Sequence, residues 1–190
     1  EAKKLYQYCL NQNFNDFRVF SNYATILQSL GKLEEAEKVQ RKAVELQPGL
    51  TETHTNLGAI LKDLGKLKEA ELSLRKAIEL SPEYAMAHYN LGILFKDLGN
   101  LDEAEISLGK AIELKSSFAE AFFNQAIIFQ ERGRYEDAIL SFDKAYDLDP
   151  KNPKFYAWKG LKLSDIYRGS LKNNHHMIKS INQGDWSGSK

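Results

Sequence analysis

Cysteine is almost missing from this chain of 190 residues. Cys9 stands alone, which excludes an internal disulfide framework and suits a reducing, cytoplasmic setting. No apolar run reaches the roughly 18 residues a membrane span needs, and the charged opening Glu1-Ala2-Lys3-Lys4 is not that of a signal peptide. No phosphate-cradling glycine loop, no Gly-x-Ser-x-Gly and no His-Glu-x-x-His occurs, so neither catalysis nor a cofactor is expected. His175-His176 lacks a cysteine partner or a spaced carboxylate, so no metal site is expected either. With 43% hydrophobic and 27% charged residues the composition is that of an ordinary globular chain.

Net charge is zero, but it is unevenly spread. Residues 51–150 hold 11 Lys and Arg against 18 Asp and Glu, a net of −7, whereas residues 151–190 hold 8 against 2, a net of +6. The acidic middle disfavours nucleic acid, and the basic end reads as a solvated tail.

Proline is scarce too, yet three of the four prolines fall at one phase of a repeat. The period is 34 residues, in four units: 17–50, 51–84, 85–118 and 119–152. Position 15 of each unit is Gly (Gly31, Gly65, Gly99, Gly133), position 20 is Ala (Ala36, Ala70, Ala104, Ala138), and position 27 is Ala (Ala43, Ala77, Ala111, Ala145). Position 30 is Leu throughout, and position 32 is Pro in three units (Pro48, Pro82, Pro150). A fixed period of this length means stacked units that cannot bury their apolar faces alone.

Within residues 85–118, Leu91, Leu94, Phe95 and Leu98 fall at helical spacing, and Gly99-Asn100 breaks the run. A second run, Leu101 to Leu114, sets Ala104, Leu108, Ala111 and Ile112 on one face. Each unit therefore predicts two antiparallel helices of about 14 residues. Positions 8, 20 and 27 are Gly or Ala in every unit, so the helix backbones are expected to approach closely.

The small residue at 8, Gly at 15, Ala at 20 and 27 and Pro at 32 resemble the tetratricopeptide repeat. That resemblance implies an all-α fold in which helix pairs coil into a right-handed superhelix, and a scaffold that binds a protein or peptide partner. It covers residues 17–152. Residues 1–16 read as the second helix of a preceding partial repeat, with Cys9 at the position otherwise held by Ala. Departures are Phe20, His54, His88 and Phe122 at position 4, Gln40 at 24, Gln125 at 7 and Ser116 at 32. These are expected to loosen packing locally, with His54 and His88 as satisfied core histidines. Residues 153–168, with Phe155 to Ile166 helix-like, read as a capping or diverged repeat helix, and 169–190 as an irregular basic tail.

On the first helix of a unit, positions 2, 5, 6, 9, 12 and 13 lie opposite the packed face. In the family that face lines the concave groove where partners bind. Position 6 is Asn in all four units (Asn22, Asn56, Asn90, Asn124), so the carboxamides should align. A carboxamide donates and accepts like a peptide unit, so the row is a candidate grip on an extended peptide backbone. It is similar to the asparagine ladder of O-linked N-acetylglucosamine transferase-like proteins. The alternative is that each Asn bonds to a neighbouring helix and fixes repeat geometry. Positions 5 and 9 run from Ser21 and Thr25 through Thr55 and Ala59 to Tyr89 and Ile93, then Phe123 and Ile127. The last four residues form a candidate apolar anchor pocket, or a patch that residues 155–166 cover. A carboxylate clamp is not expected, because positions 2, 5 and 9 offer Arg18 as their one cation. The primary reading is a non-catalytic interaction module. The alternative is the substrate-recruiting repeat region of a larger enzyme such as a glycosyltransferase, since the chain opens in mid-repeat.

Overall fold

The computed structural model describes residues 16–155. The expected partial repeat at residues 1–16 (but for Asp16), with Cys9, the expected capping or diverged helix beyond Phe155 and the expected tail at 169–190 lie outside the described residues. The described chain is helical throughout, with no strand among its residues. Residues to Ser116 belong to one compact unit and those from Ser117 to another.

The first unit contains three helical hairpins: α1 (Phe17–Ser29) with α2 (Leu33–Leu46), α3 (Thr51–Asp63) with α4 (Leu67–Leu80), and α5 (Ala85–Asp97) with α6 (Leu101–Leu114). Within it α2 packs on α3 and α4 on α5, while the first helices α1, α3 and α5 touch in succession. The second unit contains one further hairpin, α7 (Ala119–Glu131) with α8 (Tyr135–Leu148).

Each hairpin turns on the same device. Gly31, Gly65, Gly99 and Gly133 have φ between 72° and 78°, a conformation that costs a residue with a Cβ. The Gly31 N–H donates to Gln28 O at 2.9 Å and the Lys32 N–H to Leu27 O at 2.9 Å, which satisfies two end carbonyls of α1. The same pair of bonds recurs at Gly65, Gly99 and Gly133.

Backbone approach explains the small residues. Ala36, Ala43, Ala70, Ala77, Ala104 and Ala111 are wholly buried. A Cβ placed on Gly58 would lie 2.6 Å from Leu74 Cγ, and one on Gly92 would lie 2.8 Å from Leu108 Cγ. Where the facing position is Gln40 or Phe142, whose Cγ has no tetrahedral branch, the glycine is replaced by buried Ala24 or Ala126. Phe20, Tyr23, Leu27, Val39 and Ile60 join Ala24, Ala36 and Ala43 in one core cluster of the first unit.

Two departures from the repeat pattern do more than loosen the packing. Gln40 is 0% exposed, and its Nε2 donates to Thr53 O at 2.9 Å, tying α2 to α3. His54 and His88 are half-buried and not core residues. Each pairs Nε2 with a proline carbonyl of the preceding turn, Pro48 O and Pro82 O, both at 2.8 Å. The proline ends one helix, and the histidine of the next secures the carbonyl that the proline leaves exposed.

Ions reinforce the stacking. The carboxylate of Glu37 accepts from Arg41 at 2.8 Å and from Lys66 at 2.7 Å, and Arg41 reaches on to Glu69 at 2.6 Å. Burial by itself would raise the Glu37 carboxyl, but the Lys66 ammonium and Arg41 guanidinium outweigh it and hold it below its ordinary range.

Candidate functional site

The first helix of every repeat carries one member of the asparagine row, and the members have different partners. Asn56 is half-buried and donates from Nδ2 to Ser21 Oγ at 3.1 Å, a bond from α3 to α1. Asn124 donates from Nδ2 to Glu120 O of its own helix at 2.9 Å. Asn22 is exposed and Asn90 half-buried, and neither carboxamide has a side-chain hydrogen bond among the described residues.

Position 5 is not an open groove position in the first two repeats. Ser21 is 9% exposed and Thr55 only 1%. Thr55 Oγ1 donates to Thr51 O at 2.9 Å, and Ser21 Oγ is taken by Asn56. Ser21 lies where α1 meets α3 and Thr55 is buried, so the open face is narrower than helical spacing alone suggests.

Tyr89 and Ile93 are half-buried on α5 in the first unit. Phe123 and Ile127 are half-buried on α7 in the second unit, where both pack against the cluster of Ala126, Phe129, Ala138 and Phe142. The Phe123 ring meets Phe142 edge-on, centroids 5.4 Å apart, and lies 5.1 Å from Phe155. Phe155 is 3% exposed, so the start of the segment after the fourth repeat already shields one side of Phe123.

A polar ladder on the first helices of the first unit is not anticipated by the repeat pattern. Gln28 Nε2 donates to Asp63 Oδ2 at 2.6 Å, and Lys62 bridges Asp63 at 2.9 Å and Asp97 at 3.6 Å. It joins position 12 of one repeat to position 13 of the next, a spacing of 35 residues. The signal that could have found it is that offset between Gln28 and Asp63 and between Lys62 and Asp97. Such exposed pairs align helices and add little stability, about 0–1 kcal/mol each.

Among the described residues no group of three His, Cys, Asp or Glu is placed to hold a metal ion, and no helix is long and apolar enough to cross a membrane.

Hairpins of one design, each turned by a left-handed glycine and closed on small residues, define an all-α repeat scaffold of the protein-interaction class. The chain belongs to the tetratricopeptide repeat family. A family model described as TPR repeat matches residues 59–99, and models described as tetratricopeptide repeat match residues 17–49 and 95–153. No curated protein sequence matches the chain. Solved structures share the fold. MamA is 25% identical, with a TM-score of 0.65 over 78% of this chain and 87% of its own. TTC0263, a thermophilic TPR protein in Thermus thermophilus, is 23% identical, with a TM-score of 0.73 over 88% of each chain. YrrB, described as a TPR protein with an unusual peptide-binding site, is 23% identical, with a TM-score of 0.54 over 82% of this chain and 98% of its own.

Proposed function

We propose that the chain is a non-catalytic cytoplasmic interaction module that holds an extended peptide or partner segment on the groove face of its first helices. In this reading Asn22, Asn56 and Asn90 in the first unit, and Asn124 in the second, engage the partner's backbone. Tyr89 and Ile93 in the first unit, and Phe123 and Ile127 in the second, select apolar side chains.

The observation that carries the reading is the pair Asn22 and Asn90. Neither makes a side-chain hydrogen bond among the described residues, which leaves both carboxamides to a ligand. Asn22 is exposed and Asn90 half-buried, so both carboxamides keep their donors and acceptor for a ligand's backbone. Asn56 serves the seam as well, and contributes its remaining acceptor to a ligand.

The test uses peptides selected from a phage-displayed library on the full chain. Replacing Asn22 and Asn90 together by Ala is expected to weaken the selected peptides by about 1–3 kcal/mol, one net hydrogen bond for each carboxamide, with the melting temperature unchanged. Asn56→Ala is expected to lower stability as well, because Ser21 loses its donor. Unchanged affinity in the Asn22 and Asn90 double variant would sink the proposal.

A further inference from the structure

One surface of the described chain is left over by the groove reading. It lies on the second helices, at position 22 of the repeat. Leu72 on α4 is 70% exposed, Ile106 on α6 is 73% exposed, and Leu140 on α8, in its own unit, is 69% exposed. The first repeat has Lys38 at this position, so the repeat's packing does not demand an apolar residue there. Each of the three lies outward, while the alanines two residues earlier are wholly buried.

On α6 a second feature coincides with the exposed side chain. Gly109 lies three residues after Ile106, on the same outward face. Its counterparts in the other repeats are Arg41, Arg75 and Asp143. A Cβ at Gly109 would meet nothing within 4 Å, unlike one at Gly58 or Gly92. Glycine is the poorest helix former after proline, and no neighbour among the described residues requires it here. A bare stretch of helix beside a solvated isoleucine suits an external helix, which packs at the close end of the usual interaxial range of about 8–10 Å.

Charge chooses among the helices that fit. Helix α6 carries Lys110 against Asp102, Glu103, Glu105 and Glu113, a net of −3. A second copy packing its own α6 there would bring the same −3 against it, whereas a Lys- or Arg-rich helix would be attracted. The net field and not any single carboxylate makes the distinction.

We propose that the outward face of α6, centred on Ile106 and Gly109, is a second docking surface, and that it takes a basic amphipathic helix of a protein partner. An apolar side chain of that helix would lie against Ile106, its backbone over Gly109, and its lysines or arginines beside the acidic rim. This surface is independent of the first-helix groove, so either can fail without the other.

The probe is an amphipathic peptide of about 18 residues, leucine at helical spacing and lysine elsewhere, with a leucine/glutamate peptide of the same pattern as control. Fluorescence anisotropy on the full chain is expected to show binding of the lysine peptide, at least about tenfold tighter than the glutamate peptide. Ile106→Ser is expected to weaken it about tenfold or more. Gly109→Gln is expected to weaken it similarly while raising the melting temperature, a pairing that a purely structural role would not produce. Leu30→Ser, at another exposed leucine, should leave the affinity unchanged and so exclude general stickiness. Failure of the lysine peptide to bind overturns the proposal, as does equal binding of the glutamate peptide or indifference to both α6 variants. Sedimentation showing a dimer that Ile106→Ser dissociates would overturn it in favour of a second copy.

Discussion

Replacing Gly58 by Ala is the sharpest test of how these hairpins close. In an ordinary helix interior the change is favourable by about 1 kcal/mol, because Ala loses less backbone freedom on folding. At Gly58 the new methyl would lie 2.6 Å from Leu74 Cγ, 2.8 Å from Leu74 Cδ2 and 3.3 Å from Ala70 O. The nearest atom is the branch point of a wholly buried leucine and not a flexible tip, so relief requires α3 and α4 to separate. Overpacking of this kind costs about 1–3 kcal/mol, which outweighs the propensity gain. A net loss of about 1 kcal/mol is expected, read as a lower urea midpoint by circular dichroism at an unchanged slope. Gly109→Ala is the internal reference: the same chemical change, with nothing within 4 Å, is expected to gain about 0.5–1 kcal/mol. If Gly58→Ala proves as stabilising as Gly109→Ala, close backbone approach is not the reason for glycine at this position.

Two further outcomes follow from side chains that the repeat pattern alone would not single out. Because the folded state holds the Glu37 carboxyl below its ordinary 4.5, Glu37 contributes stability that is complete above that value and lost as pH falls through the lowered one. Thermal melts of Glu37→Gln are therefore expected to lose stability at neutral pH and to show a shallower decline between about pH 5 and 3 than the unaltered chain; parallel profiles would show that the pairing with Lys66 and Arg41 contributes nothing. Phe155→Ala removes a buried ring 5.1 Å from Phe123 and is expected to destabilise the second unit by about 3–5 kcal/mol. A loss below about 1 kcal/mol in chemical denaturation would mean that Phe155 only rests against the hairpin.

The use of the first-helix side chains was only partly legible in the sequence, and the reasons are physical. Helical spacing sets all four asparagines at one phase of their helices, because 100° per residue is set by the backbone. It does not tell Asn22 from Asn56, since the difference is whether a neighbouring first helix brings a hydroxyl within reach. Ser21 serves Asn56 at 3.1 Å, and no such acceptor among the described residues serves Asn22. The same limit applies to Phe123. Its spacing marks it as outside the hairpin's packed stripe, yet the ring is half-covered by Phe142 from α8 and Phe155 from beyond the repeat. Spacing alone puts His54 and His88 in the core at position 4; they lie at its edge, because their imidazoles turn back to the Pro48 and Pro82 carbonyls.

The unit of construction is written in the sequence: a period of 34, a left-handed glycine at each hairpin turn, and small residues wherever two backbones must meet. These are local requirements, a positive φ that favours glycine and a Cβ that has no room, so a single chain states them openly. Folding in three dimensions settled how each polar or apolar side chain on the remaining faces is used. Ser21 became a partner of Asn56, Gln40 became a buried tie to Thr53, and Ile106 was left in solvent beside a glycine that no described neighbour needs. Those outcomes depend on how one helix crosses the next, a relation between residues 13 to 35 positions apart that no single helix's periodicity contains.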